Sequence, residues 1–85
     1  MATYKILIKP SAVKELKKIP QKYLKKIVDK IYSLASEPRP LGCEKLTNEE
    51  VYRIRYGIFR ILYTIEDDKL VVIVIKIGHR KDVYK

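Results

Sequence analysis

Arg53, Arg55 and Arg60 stand close together in the stretch from Val51 to Tyr63, set among aliphatic and aromatic residues. A guanidinium is a planar, permanently charged fork that matches phosphate and stacks on bases. Three of them in so short a run suit a phosphodiester better than a carbonyl substrate. Further along, Gly78-His79-Arg80 and Tyr84 extend the set. His79 is the chain's one histidine, and so its one side chain with an ordinary pKa near neutrality. Tyr84 can orient a hydroxyl or stack on a base. RNA brings its own nucleophile, the 2′-hydroxyl. A protein can therefore cut it by clamping the phosphate, stabilising the added charge and moving two protons. Arginine does the first two well and the third poorly, because its pKa stays above about 12.

A plainer reading stands beside this one. A strand arginine commonly solvates a face, and Tyr52, Tyr56, Phe59 and Tyr63 read first as sheet packing. Other chemistries are not signalled. There is no serine or cysteine in an elbow beside a histidine, no glycine-rich phosphate loop and no pair of His or Cys metal ligands. Glu66-Asp67-Asp68 reads as a turn rather than a metal site. Cys43, the single cysteine, excludes an internal disulfide and reads as a half-buried small residue.

The elements that must position these residues follow from periodicity. Strand side chains alternate, so Arg53 and Arg55 share one face while Tyr52, Ile54 and Tyr56 share the other. After a turn at Gly57, Arg60 falls with Leu62 and Thr64, opposite Phe59, Ile61, Tyr63 and Ile65. Thr3 to Lys9 reads as a first strand, ended by Pro10. Pro10-Ser11 opens a short helix with Ser11 as a candidate cap, carrying Ala12, Val13, Leu16 and Ile19 as its apolar stripe. Pro20 breaks that helix and opens a second, in which Leu24, Ile27, Val28, Ile31, Leu34 and Ala35 recur at three- and four-residue steps. Pro38 and Pro40 forbid its continuation. Glu44-Lys45-Leu46 leads through a polar turn into the arginine hairpin. Leu70 to Ile77 is apolar on both faces until Lys76, which predicts a central strand. The order predicts an α+β fold: a strand, a helical hairpin, then a three-stranded antiparallel meander, with both helices on one face of a mostly antiparallel sheet. The helix-free face is expected to be exposed and to carry Arg53, Arg55, Arg60 and Lys76.

Eighty-five residues make one domain, expected to span 1–85. No run reaches the ~18 apolar residues of a membrane span, so no membrane and a cytoplasmic location are expected. The net charge of +9 favours a polyanion such as nucleic acid, and an acidic protein or a membrane surface would satisfy the same field; charge alone does not choose among them. Lysines crowd the first thirty residues, whereas every arginine lies at position 39 or later.

The chain resembles the RelE/ParE superfamily of bacterial and archaeal toxins from type II toxin–antitoxin modules. The resemblance rests on residues 12–20 (Ala-Val-Lys-Glu-Leu-Lys-Lys-Ile-Pro), the Pro-Arg-Pro-Leu-Gly loop at 38–42, Lys45-Leu46, the block at 52–63 and Ile-Gly-His-Arg-Lys-Asp-Val-Tyr at 77–84. It implies a RelE-like, microbial-ribonuclease-like fold. For the RelE branch it further implies a ribosome-dependent, metal- and cofactor-independent mRNA endoribonuclease that uses the substrate 2′-hydroxyl. The implied partners are a cognate antitoxin, the ribosome and mRNA, with operator DNA reached only through the antitoxin complex. Carried over by position, Arg53 and Arg55 stand where the best-known RelE has lysines. Arg60 matches the arginine that stabilises charge on the scissile phosphate, Arg80 one that helps the leaving oxygen, and Tyr84 the tyrosine that orients the reacting nucleotide. Lys45, Lys76 and Lys81 are expected to add contacts to RNA. A related branch uses a glutamate base with an arginine and a histidine, and Glu44, Arg60 and His79 fall roughly where that set would lie. Arg53 and Arg55 as phosphate clamps, with proton transfer by His79 or water, reconciles the two patterns. A gyrase-inhibiting ParE-like toxin and a catalytically inactive antitoxin-binding homologue are the alternatives.

Overall fold

The structure, a computed structural model, describes residues 3–46 and 50–79. Strand β1 (Lys5–Ile8) runs into helix α1 (Pro10–Leu16) and helix α2 (Gln21–Ser33), followed by β2 (Glu44–Lys45), β3 (Tyr52–Tyr56), β4 (Phe59–Glu66) and β5 (Val71–His79). The five strands form one sheet in the order β1-β5-β4-β3-β2, with β1 parallel to β5 and the other pairs antiparallel. The apolar last strand is indeed internal, between β1 and β4. No helix of the described residues is long and apolar enough to cross a membrane.

Both helices lie on one sheet face. Ala12, Ile19, Ile27, Ile31 and Leu34 pack against Ile54, Phe59, Ile61, Tyr63, Val72, Val74 and Ile77. Of these, Ile54, Phe59, Ile61 and Tyr63 are the non-arginine face of the hairpin, so the alternation from 52 to 63 puts them on the core side. The hairpin turns between the paired residues Tyr56 and Phe59. Gly57 takes φ +59° there, a left-handed conformation that a side chain would strain at the first position of a two-residue turn.

Three expectations are corrected. Helix α1 begins at Pro10, with Lys9 as the cap residue and no side-chain cap, so Ser11 is inside the helix. Proline's fixed φ already suits a first helical residue, and its missing N–H needs no cap. Glu44 and Lys45 are not a mere lead-in but a fifth, edge strand opposite Arg53 and Tyr52. Two residues are too few to show a period in sequence. Thirdly, the helix-free face is not uniformly open: Arg53 is 7% and Arg60 8% exposed, whereas Arg55 is exposed. Their long apolar stems bury readily against neighbouring strands.

A β-bulge shapes the same face. Pairing of β4 with β5 slips between Leu62, opposite Lys76, and Tyr63, opposite Val74, which leaves Ile75 without a counterpart. The extra residue reverses the side-chain phase. Val72 and Val74 enter the core before it and Ile77 after it, which puts Lys76 beside Leu62 on the arginine face. Helix α1 fastens this end of β5: Glu15 Oε1 accepts the Ile77 N–H at 2.9 Å, and its other oxygen lies 3.9 Å from Lys76 Nζ.

Candidate functional site

The register of three strands gathers the arginines. Arg55 lies directly opposite Arg60 and Arg53 opposite Leu62, so the three guanidinium-bearing residues share one face over two strands. On the far side of Arg60, β5 presents Gly78, and therefore no side chain, at the opposing position. Arg60 thus has a cation opposite it on one side and a glycine on the other. Lys76 occupies the same face one pair further along.

The edge strand supplies a counter-charge. Glu44 lies opposite Arg53, and its Oε1 accepts hydrogen bonds from Arg53 Nη2 at 2.5 Å and Arg55 Nη2 at 3.1 Å. Chiefly because of the hydrogen bond from Arg53, the Glu44 carboxyl is held below the usual carboxylate range. It is therefore anionic at neutral pH and a weak proton acceptor. Glu44 and Arg55 also border an open groove of about 500 Å³ that runs past Lys30, Pro40, Leu41 and Ile54.

Other expected residues are placed differently. Lys45 pairs with Tyr52 and so leaves the sheet away from Arg53; its ammonium lies 3.4 Å from Glu50. Glu44, Arg53, Arg55 and Arg60 are brought together, with Lys76 nearby. The His79 backbone closes the sheet opposite Phe59. The His79 side chain and residues Arg80, Lys81 and Tyr84 lie outside the described residues. No group of metal-ligating side chains is present among the described residues.

Arg39, in the Pro-Arg-Pro loop, has a positioning role that residue spacing does not reveal. Its two terminal nitrogens donate to both oxygens of Asp67 at 3.2 and 2.8 Å, and Nε donates to Tyr52 Oη at 3.3 Å. Tyr4 adds its hydroxyl to Asp67 at 2.7 Å, and the buried Tyr63 donates to the Pro38 carbonyl at 2.7 Å. The loop that delivers Glu44 is thus pinned to the β4–β5 turn and to β3. Asp67 is a structural acceptor at the β4–β5 turn.

The Arg39 hydrogen bond, followed by that of Tyr4, pulls the Asp67 pKa down to about 2. A depressed folded-state pKa means that the link adds stability above about pH 4 and loses it as pH falls through about 2. Because the pair is largely exposed and screened by solvent, Asp67→Asn should lower the urea midpoint only slightly at pH 5. The gap to the parent should close as the pH is taken from about 4 towards 2. A gap independent of pH would show that the charge contributes nothing.

Comparison with known proteins gives this arrangement a context. A family model described as the ParE toxin of the type II toxin–antitoxin system, parDE, matches residues 6–84. The putative toxin RelE1 of Methanocaldococcus jannaschii is 34% identical, with 96% of each chain covered. In the toxin–antitoxin complex RelBE2 of Mycobacterium tuberculosis, one chain superposes with a TM-score of 0.83 at 28% identity, covering 94% of both chains. The archaeal RelE–RelB complex of Pyrococcus horikoshii also reaches 0.83, at 26% identity over 92% of this chain and 96% of that one. The likeness thus extends over nearly the whole length, and the chain belongs to the RelE/ParE superfamily of type II toxin–antitoxin toxins.

Proposed function

We propose that this toxin is an mRNA endoribonuclease of the RelE type, acting on the ribosome without a metal and held off by a cognate antitoxin. The observation that carries the reading is the convergence of Arg53, Arg55 and Arg60 on one face, with Arg55 and Arg60 directly opposed. Relatives named RelE and solved RelE–RelB complexes support it.

In this reaction the 2′-oxygen of RNA attacks the adjacent phosphorus and the bond to the 5′-oxygen breaks. The products are a 2′,3′-cyclic phosphate and a 5′-hydroxyl. Negative charge grows on the non-bridging oxygens as the fifth bond forms. Arg60, largely desolvated, stabilises that charge more effectively than a fully hydrated cation, and Arg53 and Arg55 clamp the phosphate. Lys76 and Lys81 add attraction for the backbone, with Lys45 as a more distant contact. The protons need other groups: His79 or water takes the one from the 2′-hydroxyl, water supplies one to the departing 5′-oxygen, and Arg80 stabilises the charge on that oxygen. Tyr84 orients the reacting nucleotide.

Mapping of mRNA 5′ ends after brief induction tests this directly. Cuts should fall within translated frames with codon spacing, and purified toxin should need ribosomes for the same pattern. Equal cleavage of naked mRNA would overturn ribosome dependence. The matching family model is named for ParE toxins, which makes a gyrase-directed toxin the second reading. Gyrase poisoning in a supercoiling assay, with mRNA left intact, would select it.

A further inference from the structure

We infer that Glu44 is a positioning residue of the arginine face, holding Arg55 beside Arg53 for the scissile phosphate rather than taking the 2′-hydroxyl proton. This inference rests on the nuclease reading above.

The geometry is a three-cation cluster with one carboxylate. Arg53 and Arg55 are two residues apart on one strand face, and Arg60 stands opposite Arg55. Like charges directly opposed on neighbouring strands repel. Two of these residues are held by burial: Arg53 and Arg60 are less than a tenth exposed. Arg55 is not, because about half of its side chain is open to solvent. An exposed arginine has several soft torsions and a strong reason to swing away from two neighbouring cations. Glu44 Oε1 opposes that swing by accepting from Arg55 and Arg53 at once. A single oxygen therefore sets the separation of the two forks.

The same contacts make Glu44 a poor base. One of its two oxygens is committed to two cationic donors, and those donors stabilise the ionised carboxylate against taking up a proton. Its carboxyl also titrates below the ordinary range, and a proton acceptor works best with a pKa near the working pH. Glu44 itself is held in place twice, by pairing of β2 with Arg53 and by the pinned loop before it.

Single-turnover cleavage of mRNA in purified ribosome complexes separates the roles, with parent toxin, Glu44→Gln, Glu44→Ala, Arg55→Ala and the double alanine variant compared at saturating toxin. A glutamine oxygen still accepts from both guanidiniums, so Glu44→Gln should stay within about fivefold of the parent. Glu44→Ala should be about 10- to 100-fold slower, the scale of a misplaced group. Because Glu44 acts through Arg55, the double variant should be no slower than the worse single variant. A loss of about 100-fold or more in Glu44→Gln with unchanged melting would make Glu44 the base and overturn the inference. Additive losses in the double variant, or no loss in Glu44→Ala, would also overturn it. Thermal melting of each variant identifies any loss that merely follows unfolding. If the parent toxin cuts no mRNA on ribosomes, the nuclease reading fails first and this inference falls with it.

Discussion

Replacing Arg60 with alanine is expected to slow ribosome-dependent cleavage by about 10²–10³-fold while leaving the fold intact. The magnitude is that of removing one preformed donor aimed at a developing oxyanion, about 2.7–4 kcal/mol. Arg60 has the strongest claim to that role among the described cations. It is 8% exposed, so its field on a bound phosphate is less screened than that of Arg55. It lies directly opposite Arg55 across the β3–β4 pair, on the same sheet face as Arg53. Arg60→Lys should recover only part of the rate, because an ammonium keeps the charge and loses the planar fork. The measurement is the single-turnover rate on ribosome complexes, with melting temperature followed in parallel. A parental rate in Arg60→Ala would move the charge stabilisation to another cation.

What the sequence discloses about this site depends on how local each constraint is. The alternation from Tyr52 to Tyr63 is local, and it assigns Ile54, Ile61 and Tyr63 to the core and the arginines to the other face. The Glu44–Arg53 contact is not local in that sense. It requires a two-residue edge strand and its register, neither of which leaves a periodic trace. The Arg39–Asp67 link joins a proline-rich loop to a hairpin tip, and neither end shows its partner in sequence. The run Val71 to Ile77 conceals the bulge, because every residue but Lys76 is apolar whichever face it takes. Arginine burial escapes the sequence for a different physical reason. Charged residues are mostly exposed, but a sheet face lined by long stems can shelter a guanidinium whose partners lie on neighbouring strands. The tail with Arg80 and Tyr84 is legible only through family resemblance, because neither residue falls in a periodic segment.

Ile61→Ala should show the opposite signature, a large loss of stability with chemistry preserved. Ile61 is fully buried, and its counterparts Ile54 on β3 and Ile77 on β5 are core residues too. Truncation removes apolar contact and leaves a cavity between strands that are already paired on both sides. Such deletions cost about 2–5 kcal/mol, a large part of the roughly 5–15 kcal/mol that holds a typical domain together. For a chain of this size, the melting temperature should fall by about 10–20 °C or more. Ile61 follows Arg60 in the chain yet points to the helices, away from the arginine face. At a temperature where the variant remains folded, its cleavage rate should therefore stay within about threefold of the parent. Melting curves and low-temperature single-turnover rates together decide the outcome. A folded Ile61→Ala toxin that had lost its activity would mean that the two faces of β4 are coupled. The packing of α2 against the sheet would then belong to the catalytic geometry rather than merely support it.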